Sequence, residues 1–173
     1  MLDLTHDLWR LTLHGSLAKC PQKDKANRVL DLGTGTGIWA IEFADEHADA
    51  ELIGVDRMPI QSSWLPPNLS FEIDNVEDTW TWAKPFDYIF CRAMIGSIEN
   101  WPRLIKQAFK HLEPGGWLEW SQLIVEATDR TGRSVTVAPN FKKMMEDAGF
   151  EEVEETQVKL PINSWAKTSG TKY

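Results

Sequence analysis

Val29-Leu30-Asp31-Leu32-Gly33-Thr34-Gly35-Thr36-Gly37 is the stretch whose reading decides the fold. Arg28–Leu32 predicts a strand, and three alternating glycines leave it to open a helix near Gly37 or Ile38. Glycine permits positive φ and lets a ligand approach the backbone closely. A helix N-terminus beyond such a turn offers free N–H groups and the positive end of a dipole, which suit an anion. Asp31, ending the strand, is placed to meet an ammonium, directly or through water. The spacing is not the dinucleotide fingerprint G-x-G-x-x-G, because the third glycine would fall at position 38, which is Ile. No Gly-Lys-Ser/Thr follows, so the loop is not a P-loop. The plainer reading, a tight strand–helix connection, loses ground because the loop follows the first strand of a βαβ unit.

Working outward, a helix continues through Ile41, Ala44 and His47, and Glu51–Val55 is a short apolar strand. Residues 57–68 carry Pro59, Pro66 and Pro67 and read as loop. Leu69–Ile73 and Phe86–Cys91 are further strands, the latter continuously apolar, as in a strand covered on both faces. Trp101–Leu112 is the clearest helix, with Trp101, Leu104, Ile105, Ala108, Phe109 and Leu112 at helical spacing. Pro114-Gly115-Gly116 turns the chain into a strand over Trp117–Val125. A helix over Pro139–Ala148 ends at Gly149, and 150–160 is compatible with a last strand. Before the first strand, residues 4–18 read as an amphipathic helix with Leu4, Leu8, Leu11, Leu13 and Leu17 as its apolar side. Strands alternating with helices define an α/β, Rossmann-like, doubly wound, mostly parallel sheet with helices on both faces. We expect one domain over 1–173: an N-terminal helix and connection (1–27), a cofactor-binding core (28–125) and a shortened C-terminal part (126–173).

In such sheets ligands lie beyond the C-terminal ends of the strands, at the point where strand order reverses. The residues expected there are Asp31, Gly33, Thr34, Gly35, Thr36 and Gly37, then Asp56 with Arg57 beside it. Asp56 lies 19 residues after Gly37 on the next strand, the spacing of an acid that accepts from ribose hydroxyls. Loop and acid together favour S-adenosylmethionine (SAM) or NAD. Asp74, Asn75 and Val76 follow the third strand. A side-chain oxygen there suits an adenine amine and the Val76 N–H a ring nitrogen, with an Asx turn as the even alternative. Cys91-Arg92-Ala93-Met94 follow the fourth strand, beside the expected place of a transferable methyl, where Arg92 suits a carboxylate or the cofactor, against an ordinary surface salt bridge. Candidate bases are His6, His14, Asp7 and residues near Arg92, with His6 and His14 drawn on one helix face. A histidine on an amphipathic helix is more often ordinary structure, and no catalytic residue is assigned.

Composition narrows the classes. The chain has 173 residues and a net charge of −8, which argues against general nucleic-acid binding. The acidic run Glu151, Glu152, Glu154, Glu155 reads as a solvated edge. Cys20 and Cys91 form no CxxC pair, and no metal-ligand cluster stands out, so no metal is expected. The N-terminus lacks the pattern of a signal peptide or membrane span, and an intracellular, cytoplasmic or nuclear location is expected. Nine tryptophans are many for this length. Packing is the expected role of Trp101 and Trp117, while Trp39, Trp80 and Trp82 stay open between packing and an acceptor wall.

At VLDLGTGTGIWAIEFAD, ELIGVDRMPIQSSWLPPNLSFEIDNVEDTW, FDYIFCRAMIGSIENWPRLIKQAFKHLEPGGWLEW and, more weakly, AGFEEVEETQVKLPINSW, the chain resembles class I SAM-dependent methyltransferases. More narrowly it is similar to the fungal LaeA-type enzymes linked to regulation of secondary metabolism. The resemblance implies a SAM site at Asp31 and Gly33–Gly37, at Asp56 and at Asp74–Val76, with Asn75 standing where the family often has a second acid. It implies methyl transfer to a small-molecule or protein acceptor. The alternative is an inactive regulatory module binding a protein partner, and a nicotinamide enzyme is disfavoured by Ile38. Family members are usually longer. They carry a helical segment where this chain has the short stretch EATDRTGRSVTVA, and a seventh strand where it has SWAKTSGTKY, so a shortened fold without that strand is expected.

Overall fold

The computed structural model describes residues 2–122 and 140–158. The helix α1 spans Leu2–Thr12, a 3₁₀ turn Lys23–Lys25, β1 Arg28–Leu32 and α2 Ile38–Glu46. β2 spans Glu51–Asp56, β3 Leu69–Ile73, β4 Phe86–Arg92, α3 Trp101–His111, β5 Leu112–Ser121 and α4 Phe141–Ala148. The five strands form one sheet in the order β3-β2-β1-β4-β5, with every neighbouring pair parallel. Order reverses between β1 and β4, so a crevice opens beyond their C-terminal ends.

The period of two along each strand divides the core. Leu30 and Leu32 of β1 and Ile89 and Cys91 of β4 face one side, where they pack with Trp101, Leu104, Ile105 and Ala108 of α3 and Phe141 and Met145 of α4. Val29 of β1 and Tyr88 and Phe90 of β4 face the other, against Trp39, Ala40, Phe43 and Ala44 of α2. The Trp39 ring stacks on Phe90 at 3.8 Å and on Phe43 at 4.8 Å. Its indole N–H donates to the Leu17 carbonyl at 2.9 Å, tying the N-terminal connection to α2. On β5 the Glu119 carboxylate accepts from Lys19 N, Cys20 N and the Tyr88 hydroxyl, fixing the same connection to the sheet.

Several sequence expectations change. The first helix ends at Thr12, and the chain turns through His14 (φ 54°) and Gly15 (φ 91°). Leu17 is therefore buried as part of the connection, not as a helix face. Leu4 and Leu11 are 73% and 76% exposed, while the inward residues are His6 and Trp9. Polar pairing of His6 below the helix overrides the leucine stripe. The helix end also separates His6, buried in α1, from His14, exposed in the turn, so they share no helix face. Pro114-Gly115-Gly116 does not precede the last parallel strand: pairing starts at Leu112 against Phe86 and resumes at Trp117 against Tyr88. Residues 113–116 thus form an irregularity within β5, with Gly115 at φ 82°. Residues 150–158 hold no strand, Trp82 is partly buried, and Phe109, expected on the apolar face of α3, is exposed. Gly149 does end α4, in the left-handed region at φ 109°. The acidic run is exposed as expected. Residues 123–139 and 159–173, which carry the expected shortened segment and missing seventh strand, lie outside the described residues.

Phe43 is fully buried between Trp39 and the His47 ring. Phe43→Ala is expected to cost about 3–5 kcal/mol, read as a lower urea midpoint at unchanged denaturant slope.

Candidate functional site

The crevice is lined by Thr5 and His6 of α1, by Asp31, by the glycine loop from Gly33 to Thr36, by Ile38 and Trp39, and by Phe90, Arg92 and Ala93. Gly33, Gly35 and Gly37 all adopt positive φ, at 71°, 60° and 82°. A Cβ on Gly37 would fall 2.3 Å from the Phe71 ring, and one on Gly33 would fall 2.1 Å from the Met94 sulfur. The loop therefore needs glycine for packing as well as for its turn.

Most of the loop's amides are engaged within the protein. Gly33 N and Thr34 N both donate to the Val55 carbonyl, at 2.9 and 3.0 Å. Gly35 N donates to Asp56 Oδ2 at 2.8 Å, and Gly37 N to the Thr34 carbonyl at 3.0 Å. Gln61 Nε2 donates to the Gly35 carbonyl at 2.7 Å. Asp56 Oδ1 accepts from Met58 N at 2.9 Å. Asp56 and Gly35 thus share one site, as the sequence spacing predicts. Each carboxylate oxygen still has a lone pair for another donor. Arg57 is exposed and does not line the crevice.

Asp31 is 4% exposed and accepts from the Thr34 hydroxyl at 2.6 Å. Burial pushes its carboxyl up to about 6, against the lowering effects of the Thr34 hydrogen bond and the Arg92 charge. Arg92 continues the face of Tyr88 and Phe90, and burial pulls its guanidinium below its ordinary value. One of its nitrogens lies 3.0 Å from His6 Nδ1, and its guanidinium carbon is 5.7 Å from the Phe90 ring centre. Cys91 points the other way into the α3 side of the core, fully buried, and burial raises its thiol well above the ordinary value. Its side chain therefore faces away from the crevice.

Asp74 N donates to the Asp56 carbonyl at 3.1 Å, so the end of β3 adjoins that of β2. Asp74 Oδ1 accepts from Asn75 N and Asn75 Oδ1 from Glu77 N, the Asx-type turn. Val76 is buried, and its carbonyl accepts from the Trp80 indole at 2.8 Å. Sequence reasoning missed Gln61, whereas Ala93 and Met94 belong to the region after the fourth strand that it singled out. Ala93 is a non-glycine residue at φ 59°, a strain that no residue type announces. Asp7 and His14 are exposed and neither lines the crevice. Trp39 lines it, while Trp80 packs in the α3-side core.

Residues 6–155 match the family described as a methyltransferase domain. The chain is 38% identical over 190 residues to methyltransferase pytC of Aspergillus terreus, covering 96% of this chain and 59% of that protein. It is 34% identical over 190 residues to protein-methionine methyltransferase laeA of Emericella nidulans, covering 95% and 50%. Among solved structures, the [4+2]-cyclase SpnF has the same fold, with a TM-score of 0.66 at 23% identity over 82% of this chain and 56% of that one. The chain belongs to the methyltransferase domain family, in its Rossmann-like class I architecture, and its fungal relatives include proteins named as secondary metabolism regulators. It spans little more than half the length of the curated relatives it matches. No helix among the described residues is long and apolar enough to cross a membrane, and no described cluster could hold a metal ion.

Because Asp31 is raised in the folded state, its ionisation weighs against folding. That cost is absent below the ordinary value of 3.8 and is fully present above about 6. Asp31→Asn is expected to stabilise the ligand-free protein by up to about 3 kcal/mol at pH 7, with most of the gain gone at pH 4. Thermal melts at the two pH values check it.

Proposed function

We propose that the chain is a SAM-dependent methyltransferase domain whose cofactor lies across the β1–β4 crevice. The observation that carries this is the junction of Gly35 with Asp56, beside the buried Asp31 carboxylate. Asp31 is desolvated at the crevice floor and fits an ammonium, whose positive charge would offset that desolvation. Asp56 retains acceptor capacity for ribose hydroxyls. Asp74, Asn75 and the Val76 amide border the adenine end, next to Asp56. SAM supplies an electrophilic methyl group, so the protein's part is to bind, orient and exclude water. The acceptor is a small molecule or a protein, and a cytoplasmic or nuclear setting fits this reading.

Calorimetry with SAM and S-adenosylhomocysteine (SAH) is expected to show binding of both, and no binding of NAD. Gly35→Val is expected to abolish it, because a β-branched side chain at φ 60° must distort the loop. Affinity of that variant equal to the parent's would remove the assignment. Binding is also expected to weaken as pH falls through about 6, because ammonium pairing needs ionised Asp31.

A specific observation favours a thioether acceptor as a second reading. The Met94 sulfur lies against Gly33 of the glycine loop, and one relative is named for methionine methylation. A thioether has no proton to lose, so no base is needed, and the one histidine lining the crevice is already paired on both ring nitrogens. Incubation with SAM is expected to add one methyl group to Met94, read by peptide mass spectrometry. An unmodified Met94 beside turnover of another acceptor would exclude this reading alone.

A further inference from the structure

The glycine loop leaves a chemical demand unmet. An α-amino acid end carries a carboxylate beside its ammonium, yet the amides of Gly33, Thr34, Gly35 and Gly37 are taken up by Val55, Asp56 and Thr34. Besides the first amides of α2, the crevice holds one full positive charge, that of Arg92, as a donor for it. Asp31 pairs with Phe90 across the sheet, and Arg92 lies two residues further on β4, on the same face. An anionic floor and a cationic rim therefore stand about one β-repeat apart, in the order needed for an ammonium and a carboxylate on one carbon.

Arg92 is a long side chain, and its direction has to be fixed for it to serve as a receptor. The fixing group is His6, which is 1% exposed and comes from α1. A guanidinium only donates, so His6 Nδ1 must accept from Arg92. His6 Nε2 then carries the hydrogen and donates to Glu42 Oε2 at 3.0 Å. Glu42 of α2 is held in turn by Arg10. Its carboxyl is lowered, with the His6 and Arg10 contacts overcoming the raising effect of partial burial. The chain Arg10–Glu42–His6–Arg92 joins α1, α2 and β4 and sets the tautomer that faces the guanidinium.

Building on the cofactor reading above, we propose that His6 is a positioning residue that holds Arg92 as the receptor for the carboxylate of the cofactor's amino-acid end. The roles differ: Arg92 touches the ligand, and His6 acts through Arg92.

The test compares SAH, which has the amino-acid end, with 5′-methylthioadenosine, which lacks it, by calorimetry on the full chain. His6→Ala is expected to weaken SAH about tenfold, the size of a lost charge-assisted hydrogen bond, and to change methylthioadenosine affinity less than about twofold. His6→Asn, whose amide oxygen can stand in for Nδ1, is expected to recover most of the SAH affinity. In an Arg92→Met background, His6→Ala is expected to have no further effect on SAH, as for two residues acting in series. Glu42→Leu, at a part-exposed site, is expected to give a smaller loss confined to SAH, and it carries the test if His6→Ala does not fold. Equal loss of both ligands, or additive losses in the Arg92→Met background, would overturn the proposal while leaving the cofactor reading intact. Failure of the unaltered protein to bind either ligand would instead overturn the cofactor reading, and this proposal with it.

Discussion

The hydrogen bond from Gly35 N to Asp56 joins the two halves of the site. Without it, the loop after β1 would be held to β2 through the Val55 carbonyl, which accepts from Gly33 and Thr34, and to the segment beyond β2 through Gln61. With it, the carboxylate at the end of β2 also fixes the curvature of the loop. The three positive φ values of the glycines follow from this constraint, because the loop must pass from β1 to α2 while turning its amides toward β2. Phe71 and Met94 then fill the space that side chains on Gly37 and Gly33 would have needed. Sheet order places β2 and β4 on either side of β1, so a loop bent toward β2 opens the gap on the β4 side. Arg92 and α1 line that gap.

The site is built against the stability of the protein alone. Burying Asp31 with a hydroxyl partner raises its carboxyl, and burying Arg92 lowers its guanidinium. Each group relieves the other only in part, because they stand one β-repeat apart, not in direct contact. A ligand carrying both opposite charges on one carbon would relieve both. Such a pair is costly when empty and selective when filled, since a ligand with one charge leaves the other group uncompensated.

The sheet was legible in the sequence because its strands are short apolar runs bounded by glycine, proline or acids. β1, β2 and β3 begin where their patterns predict, and Gly149 ends α4 as a C-terminal glycine should. The junction of Gly35 with Asp56 was legible too, since the spacing of loop and acid encodes a distance across neighbouring parallel strands. The occupation of the loop's amides was not legible, because backbone partners depend on the bend and carry no residue signature. Nor was the irregularity in β5: Pro114-Gly115-Gly116 announces a break in helix and ladder alike, and only pairing of Leu112 with Phe86 decides between them. Asn75 held two readings of equal weight, and its hydrogen bond to Glu77 N shows the turn in place without excluding another donor at the same oxygen.

The first helix shows why periodicity alone misleads beside a functional site. Leu4, Leu8 and Leu11 have the spacing of a core stripe, yet Leu4 and Leu11 face outward while His6 is fully buried. Burying one leucine more would gain about 1.5–3 kcal/mol. The observed orientation instead satisfies both nitrogens of His6, places Asp3 on the Thr36 hydroxyl at 2.9 Å, and sets Arg10 on Glu42. Rotating α1 to bury its leucines would leave Glu42 without its Arg10 partner and Arg92 without its hydrogen-bond acceptor in a partly buried place, at a cost of similar or greater size. The helix is therefore oriented by the charges of the crevice beneath it. A polar residue that displaces a leucine from an otherwise regular apolar face is a sign, readable in structure, that the neighbouring surface carries charge.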